Sequence, residues 1–164
     1  MENLQELEQK YKELGEQIEK IKQKESKKRC RKPEDEEYYY IDDYCDVNYT
    51  TEDGCNVDEA RFELGNYFKT EEEAKKVLER LKTHCMLQDI ADELNEKIGE
   101  VIDWENSYQS KYYLFLDCRS NEIKRSVNMC CKDANTVYCL SDVFKIVAIE
   151  KIGEERLIRY LKGE

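Results

Sequence analysis

The sequence is poor in glycine, proline and histidine, with 6, 1 and 1 residues of these types among 164. The glycines stand singly and lack the spacing of a phosphate-binding loop, so we expect no nucleotide-dependent chemistry. The one histidine, His84, precedes Cys85 on a predicted helix, where neighbouring side chains point about 100° apart and do not face each other as base and nucleophile. We therefore predict no catalytic residues and no enzyme.

Positive charge and long apolar runs are also lacking. Basic residues number 27 against 38 acidic ones, which gives a net charge of −11. This balance argues against direct DNA binding through a basic surface and favours a basic partner, or a protein groove that holds a phosphate backbone. No run approaches the ~18 apolar residues of a membrane-crossing helix, and the first residues lack a signal pattern. We expect a cytoplasmic protein that does not contact a membrane.

A heptad pattern occupies the start of the chain. Its apolar positions alternate steps of three and four and lie on one side of a helix: Leu4, Leu7, Tyr11, Leu14, Ile18 and Ile21. Since a helix of this length is marginal alone in water, the stripe needs a partner. A parallel homodimer is the preferred interpretation, and packing on the chain's own domain or on a target's helix is the alternative. We assign residues 1–32 to this coiled-coil segment.

Residues 33–164 predict one small α+β domain. A tyrosine-rich acidic segment, residues 34–63, is typical of a hairpin with a tight turn at residues 43–46. Thr70 and Glu73 form a capping box that begins a long amphipathic helix ending near Gly99. The predicted fold class is therefore α+β: the N-terminal coiled-coil helix is followed by a small antiparallel sheet, packed against one long and two shorter helices.

The second half of the domain supplies the rest of that sheet and the shorter helices. A second hairpin is predicted over residues 111–130, and residues 137–140 form a brief further strand. Ser141 and Asp142 are expected to cap the next helix, and Gly153 separates that helix from a terminal one.

The acidic hairpin is the candidate partner-binding surface. Its acidic residues alternate with aromatic ones, a combination that can fill a cationic site on another protein. An ordinary hairpin also carries such charges for solubility and edge protection, which is the alternative. The residues we predict to contact a partner are Asp42, Asp43, Asp46, Glu52 and Asp53, with Tyr40 and Tyr44 as the aromatic contacts.

The eight cysteines raise the question of a metal. In a reducing cytoplasm they are thiols or metal ligands and not disulfides. If residues 132–136 join two antiparallel strands, Cys130 and Cys131 come near Cys139, although neighbouring strand residues need a bulge to ligate one ion. Because no Cys-x-x-Cys pair occurs, we prefer free thiols and no cofactor, with zinc at these three cysteines as the alternative.

Three stretches carry a family resemblance: residues 38–43 (YYYIDD), 65–74 (GNYFKTEEEA) and 152–158 (IGEERLI). Together they resemble uncharacterised small accessory proteins of phages and prophages of Firmicutes. Some proteins of this origin are similar in character to type II-A anti-CRISPR inhibitors of Cas9. The resemblance implies a bacterial host cell and a host defence protein as partner, most directly Cas9 with its guide RNA, whose nucleic-acid channel is positively charged.

These observations predict a non-catalytic inhibitor that blocks DNA loading or a cationic groove of a Cas9-type effector. The alternative is a structural or assembly adaptor of a phage or prophage that dimerises through residues 4–21. A hydrolase or nuclease is the weakest hypothesis.

Overall fold

The computed structural model describes residues 9–15 and 30–164. Residues 9–15 are helical, and their two heptad side chains, Tyr11 and Leu14, are 82% and 59% exposed. The heptad positions Leu4, Leu7, Ile18 and Ile21 lie outside the described residues. The coiled coil and the dimer therefore stay predictions.

The first hairpin joins β1 (Glu37–Ile41) to β2 (Val47–Thr51) in antiparallel register, with Tyr39 opposite Tyr49. Residues 42–46 form its turn, so the predicted hairpin and its tight turn are confirmed. A third segment touches the other edge of β1, where the Tyr39 and Phe68 backbones exchange hydrogen bonds of 2.9 and 2.8 Å. The sequence also predicts a short strand at residues 65–68, but this segment contributes one bridging residue, Phe68.

A helix that the sequence reading missed follows the hairpin. α1 (Asn56–Leu64) occupies the end of the segment that we assigned to the hairpin, and its buried side chain is Asp58. Because α1 turns a carboxylate inward and not an apolar stripe, hydrophobic periodicity does not reveal it. The helix ends at Gly65, whose φ of 84° suits glycine.

The long helix α2 (Glu71–Ile98) begins and ends where its signals predict. Thr70 Oγ1 accepts a hydrogen bond from the Glu73 N–H at 3.2 Å, and Gly99 ends the helix with φ of 76°. One detail of the predicted capping box is wrong. The Glu73 carboxylate reaches past Thr70 and accepts from the Lys69 N–H at 3.1 Å.

The second hairpin pairs β3 (Lys111–Asp117) with β4 (Glu122–Asn128), as predicted. The far edge of β3 receives a one-residue bridge from Cys139 to Tyr112. Two helices complete the chain: α3 (Phe144–Ile152) and α4 (Glu154–Lys162), separated by Gly153. Ser141 and Asp142 do not cap α3, because its N-cap is Val143, without a side-chain hydrogen bond.

The predicted single sheet is wrong in one respect: the two hairpins form separate two-stranded sheets. α2 connects them, because it packs on the first hairpin and also supplies Leu87, Ile90 and Ala91 to the hydrophobic core under the second. That core combines side chains of α2, the second hairpin, residues 137–139, α3 and α4: Leu87, Ile90, Ala91, Leu114, Ile123, Val137, Cys139, Phe144, Ala148, Ile152 and Leu157.

Within residues 9–15 and 30–164, no helix combines the length and the apolar composition that crossing a bilayer requires.

Candidate acidic binding surface

The turn of the first hairpin is held by the side chain of its first residue. Asp42 Oδ1 accepts hydrogen bonds from the Tyr44 and Asp46 N–H groups, both at 2.9 Å, and Asp42 Oδ2 accepts one from Asn48 Nδ2 at 2.6 Å. Cys45 takes a positive φ of 61° inside this turn. Asp42 therefore acts on the backbone of the turn and sets how its neighbours are presented.

Four side chains of the turn are exposed: Asp43, Tyr44, Cys45 and Asp46, and Tyr44 is 88% exposed. We call residues 42–46 the acidic tip. An exposed tyrosine between two carboxylates offers apolar area, a hydroxyl and negative charge together, the chemistry of a contact with a basic protein surface. Residues 31–69 as a whole carry twelve carboxylates against four basic side chains.

Glu52 does not belong to this surface, which corrects the prediction. Only 3% of the residue is exposed, and its carboxylate pairs with the guanidinium of Arg31, with Arg31 Nε 3.1 Å from Oε2. Tyr67 Oη donates to Oε2 at 2.7 Å and the Gly54 N–H to Oε1 at 3.0 Å. Every oxygen of Glu52 is engaged inside the protein, so none is left for a partner.

A second buried carboxylate, Asp58 of α1, mirrors this arrangement. Tyr38 Oη donates to Asp58 Oδ1 at 2.5 Å, and Tyr38 Oη accepts from Arg61 Nη1 at 3.0 Å. The Tyr38 and Tyr67 rings stack with centroids 3.9 Å apart and planes 12° apart, which joins the two carboxylate networks. We call Arg31, Tyr38, Glu52, Asp58, Arg61 and Tyr67 the polar core.

Tyr40 and Asp53, two further predicted contacts, are partly engaged by their own chain. The Arg61 guanidinium carbon lies 3.5 Å from the Tyr40 ring centroid, and the ring is half-buried. Asp53 is exposed, but its Oδ1 accepts from the Cys55 N–H at 2.9 Å. The structure thus brings Asp42, Asp43, Tyr44 and Asp46 together at one end of the hairpin and places Glu52, Asp53 and Tyr40 at or near the polar core.

Within the polar core, the pKa values of the carboxylates are lowered and those of the tyrosines are raised. Burial alone raises the pKa of Asp58, but hydrogen bonds from Tyr38 and from the Asp53 backbone outweigh it and hold that pKa well below its ordinary value. The hydrogen bond from Arg31 lowers the pKa of Glu52. Burial, followed by the hydrogen bond to Asp58 or Glu52, raises the pKa of Tyr38 and of Tyr67 to about 12 each. The carboxylates are therefore kept charged and the phenols neutral.

The cysteines proposed for zinc are not arranged as the hairpin hypothesis requires. Cys139 is buried and pairs with Tyr112 on β3, not with the segment that contains Cys130. Its Sγ lies 3.8 Å from the Ala91 carbonyl oxygen, and burial raises the pKa of its thiol. Cys130 and Cys131 are exposed after the end of β4, with their sulfur atoms 3.7 Å apart. Zinc binding by all three cysteines therefore stays a prediction, and the structure does not bring the three together at one site.

A different group meets the spacing of metal ligands among the described residues. Ligand atoms of Asp53, Cys55 and Asp58 lie within 4.8 Å of one another, and an Asp-x-Cys-x-x-Asp pattern marks them in the sequence. These three side chains could hold a cation. However, both Asp58 oxygens already accept hydrogen bonds, and the hydrogen bond to Asp53 raises the pKa of the Cys55 thiol, which disfavours a thiolate ligand. The main role of these side chains is therefore to stabilise the start of α1 through their hydrogen bonds.

His84 contacts a residue that lies far away along the chain, and not its neighbour Cys85. Its Nδ1 lies 2.7 Å from Tyr160 Oη of α4, and its ring is half-buried. His84 lies on a helix, as predicted, and its hydrogen bond joins α2 to α4.

The sequence reading missed the polar core because a buried Glu or Asp looks like any other acidic residue in a highly acidic segment. A partial signal is Arg61, the one basic residue among residues 34–63, which lies three residues after Asp58. No family model matches the chain, and the comparisons with curated proteins and with solved structures found no match.

Proposed function

We propose that this protein is a non-catalytic binding module whose acidic tip occupies a cationic surface of another protein. The observation that carries the proposal is the geometry of the tip: Asp42 holds the turn, and Asp43, Tyr44 and Asp46 are presented to solvent. A preorganised turn loses little conformational entropy when it binds. Exposed charge would also give fast, salt-sensitive association.

A binding role also agrees with how the chain uses its reactive side chains. The buried carboxylates Glu52 and Asp58 accept hydrogen bonds within the polar core, and His84 is paired with Tyr160. Groups held in this way stabilise the fold, while the carboxylates that remain exposed at the tip are free to meet a partner.

The family resemblance supplies a candidate for that partner: Cas9 with its guide RNA. Its channel for guide and target is positively charged, so an acidic aromatic tip would compete there with DNA. On this proposal the protein inhibits DNA loading by covering a cationic groove.

A pull-down of the protein with the Cas9–guide complex tests this proposal. We expect binding at ~0.1 M salt and its loss near ~1 M, because the Debye length falls from roughly 10 Å to 3 Å. A triple variant of the tip, Asp43→Asn, Tyr44→Ser and Asp46→Asn, should bind at least about tenfold more weakly, which corresponds to ~1.4 kcal/mol. Asp42 stays unchanged in this variant because it holds the turn.

The matched control makes the same changes of charge and aromaticity elsewhere on the exposed surface: Glu59→Gln, Glu63→Gln and Tyr108→Ser. This control should bind like the wild type. Equal weakening of both variants would show a general charge effect, and the assignment of the tip would be wrong.

The second candidate function is an assembly adaptor that dimerises through its N-terminal helix. It is favoured by Tyr11 and Leu14, two heptad side chains of the helical residues 9–15 that are exposed and so available to a second copy. Replacing Leu7 and Leu14 by Glu should convert a dimer to a monomer in sedimentation analysis. An adaptor would lose its function with the dimer, whereas binding through the tip should survive.

A further inference from the structure

A cleft between α2 and α4 gathers basic side chains on a chain with a net charge of −11. Its volume is about 310 Å³, at the lower end of small-molecule sites, which measure roughly 300–1,000 Å³. We call it the basic cleft. Five basic residues line it: Lys75, Lys76, Arg80, Arg156 and Arg159.

The cations of the basic cleft differ in how far they are neutralised. Arg156 is held in place, with its Nε 3.0 Å from Thr83 Oγ1 and an Nη 3.1 Å from Glu79 Oε2. Lys75 pairs with Glu71 at 2.7 Å.

Three further cations have no such partner. Within residues 9–15 and 30–164, no carboxylate forms an ion pair with Lys76, Arg80 or Arg159. Glu79 and Glu164 are the acidic residues in the lining, so the cations outnumber the carboxylates by five to two. An anion in the cleft would therefore meet uncompensated positive charge.

A second cleft continues from the first. It has a volume of about 430 Å³ and shares Arg80 and Tyr160 with the basic cleft. Its lining includes apolar side chains of both helices, Val77 and Leu81 of α2 and Leu161 of α4, together with His84. The two clefts together place a cationic region next to an apolar one, with Tyr160 at their boundary.

We propose that the basic cleft binds the phosphate group of a small organic phosphate whose apolar part lies in the neighbouring cleft. Arg80 and Arg159 offer planar guanidinium groups, which match the oxygens of a phosphate. The ligand is small, because a long polyanion leaving the cleft would run onto a predominantly negative protein surface. This site uses α2 and α4 and is independent of the acidic tip.

The test compares phenyl phosphate with inorganic phosphate, two probes that differ by one aromatic ring. Their binding to the full chain is followed by NMR of the His84 imidazole, since His84 is the only histidine and lines the second cleft. Both probes should shift this resonance. Phenyl phosphate should bind about threefold more tightly or better, because its ring leaves water for an apolar site.

Charge reversal in the cleft should abolish most of this affinity. The double variant Arg80→Glu with Arg159→Glu should bind both probes at least roughly tenfold more weakly, as expected when charged hydrogen bonds are lost. The matched control, Lys82→Glu with Lys162→Glu, changes exposed lysines of the same two helices outside both clefts. It should stay within about twofold of the wild type, because exposed charges outside the clefts are screened by salt.

Leu81→Gln separates the two halves of the proposal. It should remove the advantage of phenyl phosphate and leave the affinity for inorganic phosphate unchanged. Should the double variant fail to fold, Arg80→Gln, which removes one charge without reversing it, should show a smaller loss of the same sign. The proposal is overturned by an unmoved His84 resonance with both probes, by equal affinity for the two probes, or by equal losses in the double variant and its control.

Discussion

The polar core shows how single acidic residues take opposite roles within one segment. Glu52 and Asp58 turn inward and each receives a tyrosine hydroxyl, whereas Asp43 and Asp46 stay in water. A buried carboxylate is tolerated only when hydrogen bonds or an opposite charge replace its hydration. Arg31, Tyr38 and Tyr67 supply that replacement here.

Removing the hydroxyl of Tyr38 should destabilise the fold. Tyr38→Phe leaves Asp58 Oδ1 without its 2.5 Å donor and Arg61 Nη1 without its acceptor. We expect the free energy of unfolding to fall by ~1–3 kcal/mol in urea denaturation. The same change at exposed Tyr49 should stay within roughly 0.5 kcal/mol, and equal losses at both positions would contradict the role of the polar core.

Acid should destabilise the protein through Glu52 and Asp58. Both have a pKa below the ordinary value in the fold, so the unfolded chain takes up protons at higher pH than the folded one. Their stabilising effect is complete above the ordinary carboxyl pKa of roughly 4 and is lost as the pH falls below it. Urea midpoints measured from pH 6 down to pH 2.5 should therefore decline. The decline should be smaller in Asp58→Asn, and an unchanged decline would argue against Asp58 as a source.

The sequence does not reveal which carboxylates are buried. Residues 31–69 contain twelve of them, and only Glu52 and Asp58 are buried. Lys111 is similar: it is fully buried, and its Nζ donates to the carbonyls of Asn106, Gln109 and Met129 at 3.0, 3.0 and 2.9 Å. Such burial depends on partners that only the folded chain brings together.

At the level of elements, prediction worked where the signals are local. α2 has Thr70 before it, Gly99 after it and apolar residues at helical spacing between them. Both hairpins have strand-forming side chains on either side of a short turn. These signals act within a few residues, so they survive in the folded protein.

Substitutions at Thr70 measure how much the N-cap stabilises α2. Thr70→Ala removes the oxygen that accepts the Glu73 N–H at 3.2 Å, and we expect a loss of ~1 kcal/mol in urea denaturation. Thr70→Ser keeps the oxygen and should stay close to the wild type. If Ser and Ala at this position were equally destabilising, the cap would not be what stabilises the start of α2.

Elements that depend on distant contacts were predicted poorly. α1 lacks an apolar stripe because its inward residue is Asp58, which makes sense only beside Tyr38. The two hairpins were assigned to one sheet, yet β1 takes its extra partner from Phe68 and β3 from Cys139. The segment that pairs with the edge of a strand depends on how the helices position the strands. A short sequence pattern does not predict this pairing.

Two different cores stabilise the molecule as a whole, one polar and one apolar. Residues 31–69 are organised around the polar core, while the second hairpin, α3 and α4 enclose an apolar one, and α2 packs against both. Residues 31–69 thus combine a high negative charge with an interior in which the buried carboxylates are hydrogen-bonded. The acidic tip combines exposed carboxylates with an exposed tyrosine in this part of the chain.

The most direct measurement is hydrogen–deuterium exchange on the protein bound to the Cas9–guide complex. If the tip occupies a cationic groove, amides of residues 42–46 become protected on binding, while those of α4 exchange as in the free protein. The account is contradicted if the two proteins form no complex, or if residues 42–46 exchange as freely in the complex as before while another face becomes protected.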